Sequence, residues 1–368
     1  MIYFIINNNY QYYDFELHLF EIQAHDIALI EIPHALDAHE HHGVSLVLQY
    51  RAASRNGFVS QILNYLRQSR RIGHEIFPTK NDVCFLYTEY ELLNQYIVMR
   101  FKKAGARVFL IEDGGLATYL PFRILDSELL TAREWVKQQI FRMLPGLSGL
   151  RLHKINGHIL SWMPDSFLDG VCFYRPLAIA RNIPTILLRR QPQPRIEGIQ
   201  GRVVFLNEPM YIAYQNEEEY LIGLNQIIKS LCGDFDTVLF KFHPRETIEW
   251  RSRIRQRVLS NFPGVKIIED NAGIEEVIDQ YYPSVAASYF SAGLLNLLDR
   301  GVEPLYLYHL IPDLNQQPIC REATSVLHEL GYTFVHNFSD VSANYQSGLL
   351  GTSKAVGAVS LAELICEY

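Results

Sequence analysis

Short apolar runs alternate along this chain with longer stretches in which apolar residues recur every three or four positions. The first pattern suits strands buried on both faces, the second amphipathic helices. In the first half, the runs at 2–6, 27–32, 44–49, 83–88 and 107–112 read as strands, and 14–24, 58–71 and 89–104 as helices. Between 115 and 200 the pattern is less regular. Within it, Arg189-Arg190-Gln191-Pro192-Gln193-Pro194-Arg195 is too polar and proline-rich for a core element and reads as a linker. A second series follows, with strands near 202–206, 237–242, 265–269, 283–288 and 303–308 and helices near 217–231, 246–261, 273–280 and 291–299. The stretch 353–366 has helical periodicity and is expected to pack back on the first domain. Such alternation builds parallel sheets covered by helices, so the expected class is α/β, with two Rossmann-like domains facing across a cleft. The expected divisions are 1–195, 196–345 and a closing helical segment, 346–368.

Length agrees with two domains, because 368 residues exceed what one ordinary core organises. A 48% hydrophobic and 20% charged chain is of the globular kind. The formal net charge of -7 leaves no global basic field for a polyanion, so nucleic acid is not an expected partner. The basic run from Arg251 to Arg257 reads as a solvated helix face, with an anionic membrane or acceptor as the alternative. Five scattered cysteines, Cys84, Cys172, Cys232, Cys320 and Cys366, suit thiols of a reducing compartment. The opening Met1-Ile2-Tyr3-Phe4-Ile5-Ile6-Asn7 lacks the basic residues and apolar length of a signal peptide. The expectation is a cytoplasmic protein, free to rest peripherally on the inner face of the membrane.

In open α/β sheets ligands bind beyond the carboxyl ends of the strands, so polar residues just after an apolar run are the candidates for chemistry. Val108-Phe109-Leu110-Ile111 runs into Glu112-Asp113-Gly114-Gly115, two carboxylates followed by glycines that let the chain turn and a ligand approach. Either carboxylate suits a general base, and a plain capped turn is the bland alternative. Thr237-Val238-Leu239-Phe240-Lys241-Phe242-His243-Pro244-Arg245 delivers a histidine beside two cations, with Pro244 fixing the backbone behind it. On a strand, Lys241 and His243 share a face, and the group suits a departing phosphate. In the third place, Ser288-Tyr289-Phe290-Ser291-Ala292-Gly293 follows a strand and precedes a helix whose free N–H groups favour a phosphate; ordinary N-capping is the alternative. Asn207 follows the strand at 202–206 and Glu269 the strand at 265–269, where a donor or its ribose hydroxyls can be met, though both positions also suit a surface turn. The loop from Asn7 to Gln11, after the first strand, is a further place for an acceptor sugar to hydrogen-bond, with an ordinary turn as the alternative.

Two other groups invite a metal reading. Asp234-Phe235-Asp236 has the Asp-X-Asp form used to hold a metal and a nucleotide diphosphate, but it precedes its strand and so belongs to the wrong end of the sheet. His34, His39, His41 and His42, with Asp37 and Glu40, supply zinc-ligand types at no metal-motif spacing, and read as a polar loop.

The order Glu112-Asp113-Gly114, then Lys241-Phe242-His243-Pro244, then a serine motif resembles the bacterial sialyltransferases of the lipooligosaccharide and polysialyltransferase type. Those families share an acidic-Asp-Gly motif, a His-Pro motif and a serine pair on a GT-B-like pair of Rossmann-like domains. The landmarks span about half of the chain. The departure is in the third motif, where Ser288 and Ser291 are split by Tyr289 and Phe290. The resemblance implies transfer of sialic acid from CMP-sialic acid to a glycan acceptor hydroxyl, with inversion. It makes 1–195 the acceptor-side domain and 196–345 the nucleotide-sugar domain. A single donor phosphate needs no metal clamp, so no metal and no cofactor are expected. Asp113 or Glu112 would be the base and His243 the group that assists CMP departure. Lys241, Pro244, Arg245, Glu269, Ser288, Ser291 and Asn207 would serve the donor, and Gly114 and Gly115 the turn. Rival readings are a transferase of another CMP-linked acid sugar such as Kdo, a CDP-alditol phosphotransferase, and a non-catalytic saccharide-binding subunit.

Overall fold

The computed structural model describes the chain apart from residues 36–38, 53–56, 114–118, 121–122, 124–128, 156–157, 178, 191–192, 211–215, 244–245, 270–272, 292, 312–313, 315–316, 333, 335–356 and 368. The fold is α/β with two compact units. The first comprises Met1–Asp113, Pro121–Gln191 and Ala355–Tyr368, and the second Gly114–Leu120 and Pro192–Lys354.

The first unit is built on strands β1 (Ile2–Asn8), β2 (Ile27–Ala35), β3 (Leu46–Gln49), β4 (Val83–Leu86), β5 (Arg107–Ile111), β8 (Gly170–Phe173) and β9 (Thr185–Leu187). They form one parallel sheet in the order β3-β2-β1-β4-β5-β8-β9. Helices α1 (Asn9–Leu19), α2 (Phe58–Glu75) and α3 (Leu92–Lys103) supply its cover. Because helices pack on the sheet, the central strands are buried on both faces and read as unbroken apolar runs. Phe4, Phe85 and Phe109 stack across β1, β4 and β5 with centroids 5.1 and 5.6 Å apart.

The irregular stretch after 115 contains structure that periodicity alone does not resolve. Helix α4 (Ala132–Met143) begins at a capping box of Thr131 and Glu134, and an antiparallel hairpin pairs β6 (Arg151–Ile155) with β7 (His158–Trp162). Strands β8 and β9 are only 4 and 3 residues long, too short to show an alternation. Arg189 and Arg190, expected in a linker, are part of the first unit instead. The Arg189 N–H donates to Val359 O at 2.7 Å, and the Arg190 guanidinium lies over the Tyr174 ring.

The second unit carries β10 (Ile199–Leu206), β11 (Thr237–Lys241), β12 (Lys266–Ile268), β13 (Pro283–Ser288) and β14 (Glu303–Tyr306). These are parallel in the order β12-β11-β10-β13-β14. Its helices are α5 (Glu217–Asp234), α6 (Ile248–Arg257), α7 (Ile274–Tyr281), α8 (Leu294–Leu297) and α9 (Pro318–Glu329). Helix α10 (Leu361–Glu367) belongs to the first unit, where Leu361 and Leu364 join the core around Phe4, Phe15 and Ile27. In each sheet the strand order reverses once near the centre, between β1 and β4 and between β10 and β13. A crevice at the carboxyl ends of the strands is the ligand position of such sheets.

Candidate active site

In the first unit, β5 delivers two adjacent carboxylates to very different surroundings. Glu112 is fully buried: its Oε2 accepts the Tyr174 N–H at 2.9 Å, and Oε1 lies 3.6 Å from the Arg175 guanidinium. It latches the end of β5 to the segment after β8. As a candidate base it is corrected, because it has no exposed surface from which to meet an acceptor. Asp113 is half-buried, and its Oδ2 accepts from Gln11 Nε2 at 2.9 Å. Gln11 is itself fixed, since its Oε1 accepts the Asn7 N–H at 2.7 Å and its N–H donates to Asn8 Oδ1 at 3.0 Å. Loss of water pushes the Asp113 carboxyl up to about 6. The hydrogen bonds from Gln11 and Asn8 oppose that rise, and the charges of Asp14 and Glu112 reinforce it. A carboxylate titrating there is near the working range of a general base.

Behind Asp113 lies a buried polar group that no local sequence motif marks. The Tyr174 hydroxyl donates to Asp14 Oδ2 at 2.6 Å and stands 2.7 Å from His18 Nε2. Arg190 donates to the Tyr10 hydroxyl at 3.1 Å and approaches Asp14 at 3.9 Å. Burial holds the phenols of Tyr10, Tyr87 and Tyr174 well above their ordinary range, so they stay protonated around Asp113 at neutral pH. Tyr90, at the carboxyl end of β4, senses the Asp113 charge and lines a cavity of about 1030 Å³ with Phe58, Gln61, Glu91, Arg133 and Lys137. That volume suits a small ligand.

In the second unit the registers Leu206↔Lys241 and Leu206↔Ser288 bring the ends of β10, β11 and β13 to one level. β11 stops at Lys241, so the strand alternation expected to place Lys241 and His243 on one face does not extend to His243. Lys241 is buried, and His243 is half-buried in the loop beyond. The His243 N–H donates to Glu246 Oε2 at 2.9 Å, the Glu246 N–H returns to His243 O at 3.0 Å, and Arg251 donates to the same carbonyl at 3.3 Å. Asn207 is corrected as a donor contact: its Nδ2 donates to Glu246 Oε1 at 2.6 Å, and its Oδ1 accepts from the Tyr220 hydroxyl at 2.9 Å. Both ends of its buried amide are thus engaged within the unit, where it ties the end of β10 to the histidine loop.

Glu208, the next residue, accepts the Phe290 N–H at 2.6 Å and lies 3.2 Å from the donating Ser288 hydroxyl. Burial pushes both Glu208 and Glu246 up to about 7, against the hydrogen bonds they accept. Their positions carry the signal: Glu208 lies just past Asn207 at the end of β10, and Glu246 lies three residues past His243, the spacing at which a carboxylate reaches back to a backbone N–H. Ser288 is fully buried and donates to Leu206 O at 2.8 Å, so its hydroxyl closes the β10–β13 junction rather than meeting a ligand. Ser291 is half-buried, and its carbonyl accepts from Leu294 N–H. The helix expected at 291–299 is α8, 4 residues followed by a tight turn, so Ser291 does not open a long dipole. Glu269 is also corrected. It follows the edge strand β12, and its exposed carboxylate pairs with Arg255. Gly114, Gly115, Pro244 and Arg245 lie outside the described residues.

Asp234 ends α5 and Asp236 precedes β11, at the amino end of the sheet. In the loop after β2, His39 stacks on Tyr12 at 3.9 Å, His41 stands 3.3 Å from Glu31 and His42 3.1 Å from Glu40. His34 and Asp37 lie outside the side chains described. Arg253, Arg255 and Arg257 of the basic run pair with Glu217, Glu269 and Glu218, a solvated and neutralised face.

No family model matches the sequence, and no curated protein matches it. Solved structures are similar in fold. The UDP-GlcNAc 2-epimerase of Methanocaldococcus jannaschii is 11% identical, with 96% of this chain and 94% of that one covered and a TM-score of 0.55. S. aureus MnaA, in a co-structure with UDP, is 9% identical, with 94% and 86% covered and a TM-score of 0.53. The fold is the GT-B-like one of two Rossmann-like domains.

Proposed function

We propose that the chain is an inverting, metal-independent glycosyltransferase that moves sialic acid from CMP-sialic acid to a hydroxyl of a bacterial surface glycan. The observation that carries this reading is Asp113, a half-buried carboxylate at a strand end, held by Gln11 and raised to about 6. In the proposed step Asp113 accepts the acceptor hydroxyl proton as the oxygen bonds to the anomeric carbon. The bond from that carbon to the phosphate oxygen breaks with inversion, and CMP departs. His243, seated by Glu246, is the residue assigned to the departing phosphate. The Glu112-Asp113-Gly114 and His243-Pro244 landmarks favour a CMP donor. The fold likeness to proteins of UDP-sugars makes a UDP-linked donor the rival to be tested.

The test is nucleotide release from CMP-sialic acid, CMP-Kdo, CDP-glycerol and UDP-GlcNAc with a chelator present. Release of CMP from CMP-sialic acid, abolished in His243→Ala with the fold intact, is the expected outcome. Turnover of another donor alone overturns the donor assignment, and unchanged activity in the variant removes His243 from the mechanism.

A further inference from the structure

Helix α4 turns most of its apolar surface outward. Of its residues only Phe141 is buried, while Trp135, Val136 and Met143 are 55%, 49% and 76% exposed. At 100° per residue, Val136, Ile140 and Met143 form a stripe, with Arg133 and Lys137 on one flank and Trp135 and Arg142 on the other. The neighbouring α2 repeats the arrangement. Val59 and Leu63, both more than half exposed, stand one turn apart, and Arg67 and Arg70 continue the same stripe. The helices are in contact, with the Phe58 and Phe141 rings 5.4 Å apart and the Lys137 ammonium over both. The carboxylates of these helices are engaged: Glu134 with the Thr131 N–H and Lys154, and Glu75 with Arg71 and the Tyr50 hydroxyl. A face both apolar and cationic therefore stands on a chain of net charge -7.

We propose that this α2–α4 face seats the protein on an anionic phospholipid surface. A helix whose apolar stripe faces water, flanked by cations with tryptophan at the margin, has the distribution that lies in a membrane interface. The apolar side chains enter the headgroup boundary, and the long basic side chains keep their charges among lipid phosphates. Charge decides against a second copy of the chain as the occupant, because two cationic faces repel whereas an anionic lipid surface attracts both elements. The opposite holds for the basic run of α6, where Arg253, Arg255 and Arg257 are already paired with carboxylates. No described helix is long and apolar enough to cross a membrane, so the attachment is peripheral.

The experiment is cosedimentation of the full chain with vesicles of phosphatidylcholine alone or mixed with phosphatidylglycerol. Binding to the mixed vesicles, weakened by salt, is expected. Val136→Asp with Met143→Asp, and separately Arg67→Glu with Arg133→Glu, should each weaken it at least about tenfold with unchanged melting temperature. Arg253→Glu with Arg257→Glu should leave it intact. A blue shift of tryptophan emission on mixed vesicles should be lost in Trp135→Phe. Absence of vesicle binding, binding indifferent to both α2–α4 double variants, or a dimer in sedimentation velocity that the apolar double variant dissolves would each overturn the proposal.

Discussion

At the residue scale the decisive contrast is between Glu112 and Asp113. They are adjacent, yet one is sealed against the segment after β8 and the other keeps an exposed edge. Asp113→Asn should lower turnover by about 10²- to 10⁴-fold, the usual worth of a general base, while the retained side-chain oxygen still accepts from Gln11. A base must be deprotonated to act, so the wild-type rate should rise with pH through about 6. A profile without that limb would remove Asp113 from the role. Glu246 provides a second test, on stability. Its ordinary value is 4.5 and its folded value about 7, so the unfolded chain releases this proton first as pH rises. Folding stability from this group is present at low pH and is lost between those values. Glu246→Gln should therefore gain on the wild type between pH 5 and pH 8, by up to about 3 kcal/mol at 1.4 kcal/mol per pKa unit. Denaturant melts at the two pH values read this difference, and a gap that does not change with pH would contradict it.

At the element scale, the closing helix α10 matters more than its 7 residues suggest. Leu361 is fully buried among the core residues of the first unit, and the bridge Leu188↔Val359 sets the preceding chain beside β9. Leu361→Ala should cost about 2–5 kcal/mol, the range for emptying a packed leucine site. Urea unfolding followed by circular dichroism measures it, and a loss below about 1 kcal/mol would mean that α10 is not part of the core. The strand ends show the same dependence on distant partners. Asn207, Glu246 and Tyr220 come from different elements, and together they hold the loop that carries His243.

For the molecule as a whole, the five cysteines stand as free thiols, with Cys84, Cys172 and Cys320 buried and Cys232 and Cys366 exposed. A reductant should leave the melting temperature unchanged, and a thiol reagent should titrate two groups rapidly in the native protein and the rest on unfolding. A fall in melting temperature on reduction would contradict the free-thiol assignment. The sequence by itself determined the alternation of strands and helices, since burying a strand on both faces demands a continuous apolar run that can be read locally. It also placed Glu112, Asp113 and His243 beyond strand ends, because polarity breaks off where burial does. It did not reveal β8 and β9, whose few residues carry no period, nor the place of Arg190 within the first unit. Only the tertiary structure decided which carboxylate keeps access to solvent, and that Asn207, Ser288 and Glu269 are engaged by partners of their own. The reason is physical: burial and hydrogen bonding depend on groups brought from 62 residues away in the case of Glu112 and 82 in that of Ser288, and no local pattern encodes them.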